Sequence, residues 1–251
     1  MTRTPPRERP TPSQNDAAGF APTRWTIVLA AAKDQAGSVS PRALQELAQL
    51  YWFPLYVYIR RHGRDASQAE DLTQEFFARL IERKSLAFAD PAKGRFRAFL
   101  LTCAKNFLAN ELEKAQSAKR GGAKRVIALD ALDAEARYAI EPADDRTPER
   151  IFEQRWAREV LDHVLVRLRK MYSDKHQIPL FEVLKQSLAS HADAQLKSEM
   201  AAKLGLTDGA VSVAIHRLRR HYRQALRDEI AQTVASPELI DEEIDYLLNC
   251  L

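Results

Sequence analysis

Residues 207 to 220 carry side chains that can read DNA when they are spaced along a helix. Helical periodicity turns Val211, Ile215 and Leu218 toward a core and leaves polar and basic side chains on the opposite side. Arginine can pair with guanine edges or phosphates, serine and histidine can donate or accept hydrogen bonds, and valine can contact a thymine methyl group. The predicted DNA-contacting residues are Thr207, Ser212, Val213, His216, Arg217 and Arg220.

The segment from Ser198 to Leu218 has the residues that a helix-turn-helix requires. Such a motif needs a small residue where its helices cross, a glycine able to adopt positive φ, and apolar residues that hold the second helix. Thr207 is placed to cap that second helix. The alternative is an ordinary amphipathic hairpin with solvated arginines. The required residues occur in order as Ala201, Gly205, Leu206, Val211 and Ile215.

A second candidate nucleic-acid site lies on a helix predicted from Arg95 to about Lys119. Phe96, Leu100, Cys103 and Phe107 recur at spacings of three and four and mark its buried side. The opposite side carries polar side chains at steps of four, with cations beside them. Amide groups flanked by cations are suited to binding nucleic acid. The predicted contacts on this helix are Arg97, Thr102, Lys105, Asn106 and Asn110.

The loop before this helix places aromatic rings near basic residues, with Phe88 ahead of Lys93 and Arg95. Single-stranded nucleic acid favours that combination because bases stack on aromatic rings while cations hold the backbone. For Phe96 and Phe99 we prefer core packing. For Phe88, base capture and core packing both stay open.

The net charge of +4 conceals strong clustering. One basic stretch spans residues 93 to 125, opposed only by Glu111 and Glu113, and a second spans residues 217 to 227. Acidic stretches cover residues 130 to 149 and 238 to 245. The sequence therefore predicts two basic surfaces.

The chain is predicted to be all-α, because helix-forming residues fill most segments and only eight glycines interrupt them. Proline-rich residues 1–22 are predicted to be a disordered arm. Two helical domains, 23–122 and 147–251, are joined by a flexible acidic linker over 123–146, and the second contains the helix-turn-helix. Predicted helices begin near Thr23 and then cover about 41 to 63 (with a bend or restart at Pro54), 66 to 83, 95 to 119, 148 to 172, 178 to 190, 196 to 204 and 208 to 232, with a last one from Pro237.

Several other classes of protein are disfavoured. Two distant cysteines suggest neither a disulfide framework nor a zinc site, and the six histidines show no metal-ligand or catalytic grouping, so we expect no enzyme, metal or cofactor. No apolar stretch approaches the ~20 residues of a membrane span, and the first twenty residues lack the apolar core of a signal peptide. A cytoplasmic location is expected.

Three segments, in order, resemble bacterial RNA polymerase sigma factors of the extracytoplasmic-function (ECF) type. Residues 69–80 (AEDLTQEFFARL) look like that family's polymerase-binding helix, and 96–108 (FRAFLLTCAKNFL) resemble its promoter-melting helix that reads the minus-ten element. Residues 210–219 (AVSVAIHRLR) look like its minus-thirty-five recognition helix. The resemblance covers about residues 23 to 232.

This resemblance implies residue roles. Asp71, Gln74, Glu75 and Phe77 would engage the polymerase's large subunit, with core packing as the alternative for Phe77. The loop from Phe88 to Phe96 would capture an unstacked promoter base. The chain departs from the family pattern at Phe99, where many members carry tryptophan, and at Glu111 and Glu113, which weaken the usual arginine cluster.

The predicted function is promoter-specific initiation by a monomeric sigma factor whose partners are core RNA polymerase and promoter DNA, with an anti-sigma factor or other regulator as a further candidate. The acidic linker would either lie against a basic surface in the free protein, thread through the polymerase, or serve as a simple tether. The alternative function is a ligand-responsive dimeric helix-turn-helix repressor, which requires a dimer surface and a palindromic site.

Overall fold

The structure is a computed structural model, and it describes residues 41–82, 94–117, 131–139, 146–189, 192–234 and 236–251. Within these ranges the regular structure is helical and contains no strand, which confirms the all-α prediction. The predicted arm 1–22, the helix near Thr23 and the Phe88 loop lie outside the described residues. No helix in the described ranges is long and apolar enough to cross a membrane.

The central helix is α1 (Pro41–Arg61), which ends just before Gly63 in the left-handed region at φ 78°. Of the two alternatives predicted at Pro54, the restart is wrong because a single helix runs through this residue, and the bend stays a prediction. Proline removes one helical hydrogen bond. Burial offsets that loss, since Leu55, Val57 and other side chains around the proline are completely buried.

Helices α2 (Ala66–Glu82) and α3 (Phe96–Ser117) carry the apolar stripes that the sequence predicts. The ring of Phe76 on α2 meets that of Phe107 on α3 edge-on, with centroids 5.7 Å apart. Arg79 donates a hydrogen bond to Glu111 at 2.7 Å and links the same two helices at their surface. The contact between α2 and α3 therefore consists of packed aromatic rings, with the Arg79–Glu111 ion pair at its edge.

Helix α4 (Ala131–Ala139) lies inside the predicted linker, which was expected to be solvated and non-helical. Ala134 is buried, and Glu135 accepts hydrogen bonds from Arg60 at 2.7 and 3.1 Å and from the hydroxyl of Tyr56. A nine-residue helix is marginal by itself, so tertiary contacts must stabilise it. The expectation of a non-helical linker is therefore wrong for residues 131–139. The sequence alone did not show this helix, because the side chains that stabilise it come from distant parts of the chain.

Helix α5 (Pro148–Ser173) begins as predicted, with the Thr147 hydroxyl accepting from the Arg150 amide at 3.4 Å and proline at the first helical position. Among the helices that contact α1, α5 has the most extensive contact. Phe152 meets Tyr58 edge-on with centroids 6.3 Å apart. In the described residues, the two predicted halves thus share apolar contacts through α1 and α5.

The remaining helices follow α5 in the chain. They are α6 (Ile178–Leu184), α7 (Gln186–Ala189), α8 (Ala194–Leu204), α9 (Asp208–Ala231) and α10 (Ile240–Asn249), the last preceded by a 3₁₀ turn at Pro237–Leu239. The predicted helix 178–190 is divided into α6 and α7 at Lys185. Both α9 and α10 contact α5, so the carboxyl-terminal helix is part of the fold rather than a detached extension.

Candidate nucleic-acid interfaces

The link between α8 and α9 is compatible with the predicted helix-turn-helix. Gly205 ends α8 at φ 64°, a conformation that glycine adopts without strain from a Cβ atom. Thr207 then caps α9, its hydroxyl accepting from the Ala210 amide at 3.2 Å. Two helices therefore follow one another through a three-residue link, and Ala201 is buried between them.

Helix α9 presents the two faces that its periodicity predicts. Val211, Ile215 and Leu218 are buried, which holds α9 against the fold. The opposite face is exposed, and Val213 retains 53% of its accessible surface. The predicted contacts Ser212, Val213, His216, Arg217 and Arg220 are all exposed on α9, and Thr207 is exposed at its start.

The arginines of α9 do not all serve the same surface. Arg219 donates two hydrogen bonds, at 2.8 and 3.3 Å, to the carbonyl oxygen of Ser187 on α7. Arg227 pairs with Asp241 on α10. These two side chains thus join helices of the fold, while Arg217 and Arg220 lie on the exposed face.

Helix α3 carries an exposed polar stripe. Thr102, Asn106 and Asn110 are exposed as predicted, and the Thr102 hydroxyl donates to the Ala98 carbonyl at 2.9 Å. Lys105 lies beside them and pairs with Glu149 at 3.0 Å. A hydrogen bond from its own backbone amide, and then the one from Lys105, lower the pKa of Glu149. The stripe is accessible along one side of α3.

Arg97, which the sequence predicts to contact promoter DNA, is instead buried with only 4% of its surface accessible. Its guanidinium pairs with Glu243 and lies 4.0 Å from the Tyr246 ring centroid and 4.7 Å from that of Trp156. Burial lowers the pKa of Arg97. In this arrangement Arg97 cannot contact DNA, because its guanidinium is buried and paired with Glu243 of α10.

Arg95 lies next to this buried pair. It bonds to Glu242 at 2.5 Å and also pairs with Glu243, and its guanidinium is 5.4 Å from the Tyr246 ring centroid. Glu242 and Glu243 were not among the predicted site residues. The signal that could have identified them is charge complementarity between the basic stretch at 93–97 and the acidic stretch at 238–245.

Helix α2 presents a different, acidic and amide-bearing face. Asp71 and Gln74 are half-buried and Glu75 is exposed. Gln74 donates to Glu70 at 3.0 Å, and Glu75 pairs with Arg79 one turn later. For Phe77 both a polymerase contact and core packing were predicted, and the side chain is 5% exposed with its ring packed edge-on against Phe76. Its burial favours core packing.

Comparison with known families bears on helices α1 to α3. Residues 51–118 match the family model for Sigma-70 region 2. This region 2 segment supports a sigma-factor role in transcription initiation, and it implies binding to core RNA polymerase and promoter DNA. Sigma factors are initiation factors without enzymatic activity. No curated protein and no solved structure matches the chain in the other comparisons.

The region 2 match contains both α2, with its acidic face, and α3, with its polar stripe. It also contains Arg95 and Arg97, whose carboxylate partners lie outside it on α10. Within the described part of the chain, no cluster of three or more histidine, cysteine or acidic side chains could hold a metal ion.

Proposed function

We propose that the chain is an ECF-type sigma factor that binds core RNA polymerase and directs promoter-specific initiation. The Sigma-70 region 2 match over residues 51–118 carries this proposal. A second basic helix face, on α9, follows it in the order that a two-element promoter reader requires. The protein acts in the cytoplasm as a monomer until it meets the polymerase, and an anti-sigma factor or other regulator would act on this free form.

The polymerase contact is assigned to the face of α2 that carries Asp71, Gln74 and Glu75. Two carboxylates and an amide on one helix suit a basic partner surface, because charged groups there steer association and pair across the interface. Phe77 lies on the buried side of α2, packs against Phe76 and so stabilises the helix that carries this face. It therefore acts as a positioning residue.

The minus-ten element is assigned to the stripe of Thr102, Lys105, Asn106 and Asn110 on α3. These side chains are exposed along one side of the helix and offer hydroxyl, ammonium and amide groups to an opened strand. Unstacking a base costs a few kcal/mol, so a receptive side chain must offset that cost. We assign this role to Phe88, which lies outside the described residues.

The minus-thirty-five element is assigned to the exposed face of α9. Arg217 and Arg220 supply guanidinium groups for guanine edges or phosphates, and Val213 supplies an apolar contact for a thymine methyl group. Ser212 and His216 add hydrogen-bonding groups, and Thr207 contacts DNA near the start of the helix. Two weak readers on one chain raise each other's effective concentration at a promoter.

Transcription in vitro with core RNA polymerase and a promoter library tests the proposal. The expected result is start-site selection that depends on this protein and weakens with added salt, because phosphate contacts release counterions. Size measurement of the free protein and capture of core polymerase accompany it. A dimer that binds a palindromic site and confers no start-site selection would contradict the proposal and favour the repressor.

A further inference from the structure

The carboxyl-terminal helix α10 covers the beginning of α3. Arg97 and Glu243 are separated by 146 residues in the chain, yet their side chains pair at 4% and 1% exposure. Ile240 and Leu247 anchor α10 in the core on either side of Glu243. The contact is therefore built from apolar anchors around one buried ion pair.

The pairing chemistry explains why α10 docks at this place. A buried charge is costly unless an opposite charge compensates it, and Glu243 is compensated by both Arg97 and Arg95. Glu242 adds a more exposed contact to Arg95 at 2.5 Å. The Tyr246 ring contributes a face to both guanidinium groups. The acidic side of α10 thus neutralises two arginines at the start of α3.

The same two arginines suit a different partner. A guanidinium fork binds carboxylate and phosphate oxygens with the same bidentate geometry, so a nucleic-acid backbone can replace the carboxylates of α10. Arg95 and Arg97 lie on the helix that continues into the exposed stripe of Thr102, Lys105 and Asn106. A strand that follows this stripe toward the start of α3 would meet α10.

We propose that α10 is an intramolecular competitor of single-stranded DNA for Arg95 and Arg97, a proposal that rests on the minus-ten role assigned to α3. In the free protein Glu242 and Glu243 occupy the guanidinium groups, and α3 offers DNA only its outer stripe. Displacement of α10 by the strand's phosphates adds two cations to the DNA-binding surface. The free protein accordingly binds single strands more weakly than its charge predicts.

The first experiment compares Glu243→Gln with Asp245→Asn in the full chain. Both variants remove one negative charge from α10, but Asp245 is exposed and pairs with neither arginine in the described contacts. Anisotropy of a labelled single-stranded oligonucleotide at low salt measures binding. We expect Glu243→Gln to tighten binding on the order of tenfold, and Asp245→Asn to change it less than about twofold. Equal gains in both variants would overturn the proposal, because bulk charge would then explain them.

A second variant, Glu243→Lys, places a like charge against Arg95 and Arg97 and must release α10 if the ion pair holds it. Circular dichroism checks the fold, and hydrogen exchange of residues 240–249 reports release. Increased exchange together with tighter DNA binding supports competition. Increased exchange without tighter binding, or a helix that stays protected, would overturn it.

The unmodified protein provides a test that does not depend on variants. Because linkage is reciprocal, a saturating single-stranded oligonucleotide must increase hydrogen exchange in residues 240–249 if DNA and α10 compete. Unchanged exchange at saturation would overturn the proposal. Core-polymerase binding by the same samples separates the two ideas. Normal polymerase binding with unchanged exchange contradicts only the competition, whereas absent polymerase binding with increased exchange contradicts only the sigma-factor assignment.

Discussion

At the scale of single residues, some arginines of the described ranges are exposed on a helix face, whereas others are engaged by carboxylates from distant segments. Arg217 and Arg220 are exposed on α9, whereas Arg97 and Arg60 are engaged by carboxylates from distant segments. The carboxylate partners of Arg97 and Arg60 are far away in the sequence, so neighbouring charges do not account for these ion pairs. Residue type alone therefore does not distinguish a DNA-binding arginine from a structural one.

Glu135→Gln is expected to lower the free energy of unfolding by about 1 kcal/mol, because it weakens charge-assisted hydrogen bonds from Arg60 in a group that is 37% exposed and partly screened. The Arg60 hydrogen bond, ahead of the one from Tyr56, lowers the pKa of Glu135 in the folded protein. Its stabilising contribution is thus complete above the unfolded value of about 4.3 and is lost as the pH falls through the lower folded value. Denaturant unfolding between about pH 3 and 7 measures both effects. A variant as acid-sensitive as the parent between these limits would contradict this assignment.

Arg217→Ala is expected to reduce promoter-specific transcription by roughly tenfold, because a bidentate base contact contributes about 1–3 kcal/mol. The melting temperature should not change, since the side chain is exposed. Arg169→Ala on α5 is the control, because it removes the same charge from another exposed arginine. Equal losses from both variants would argue against base contact by α9.

At the scale of elements, helix ends and helix faces determine where the candidate surfaces lie. The Gly205 turn and the Thr207 cap set the start of α9, and apolar periodicity sets which side of α9 is buried. Apolar periodicity likewise places the polar stripe of α3 and the acidic face of α2. These features are local, and each has a direct test.

Gly205→Ala is expected to destabilise the fold by about 1 kcal/mol, since its φ of 64° is unfavourable for a residue with a Cβ atom. Gly209→Ala should instead stabilise it by about 0.5 kcal/mol, because Gly209 is helical and a Cβ there meets nothing within 4 Å. Thermal unfolding of the two variants measures the difference. Equal effects would mean that the turn does not require glycine.

Phe77→Ala is expected to cost about 3–5 kcal/mol of stability, as for other buried aromatic residues. Glu75→Gln, on the exposed side of the same helix, should leave the melting temperature unchanged and weaken core-polymerase binding several-fold. Melting curves and polymerase titrations separate the two roles. A Phe77→Ala variant of full stability but defective polymerase binding would restore Phe77 to the interface.

At the scale of the whole molecule, contacts between distant segments join helices that the sequence assigns to different domains. The α1 and α5 helices share apolar side chains, and α4 and α10 add ion pairs between the two halves. The division at residues 123–146 remains a prediction about the chain's organisation. Its consequence for cooperativity can be measured.

Phe152→Ala removes an aromatic side chain that packs on Tyr58 and is expected to lower the stability of both halves together. Hydrogen exchange should therefore increase in α1 and in α9 by similar factors, within one thermal transition. Exchange that rises in α1 and α5 while α8 and α9 keep their protection would show independent unfolding of the second half.

Local chemistry determined much of the fold and most of the candidate surfaces. Apolar periodicity predicted α1, α2, α3, α5 and α9, and the exposed residues of α3 and α9 followed from the same spacing. Capping also was predictable, because Thr147, Gly205 and Thr207 act on backbone groups within a few residues.

Only the tertiary structure showed that Arg97 and Phe77 are buried, that α4 is helical and that α10 covers the start of α3. Each of these depends on partners far away in the chain, such as Glu243 for Arg97 and Arg60 for Glu135. Periodicity specifies which side of a helix is buried, but not which helix covers it. A charge can also be either solvated or paired at the same sequence position, and long-range packing decides between them.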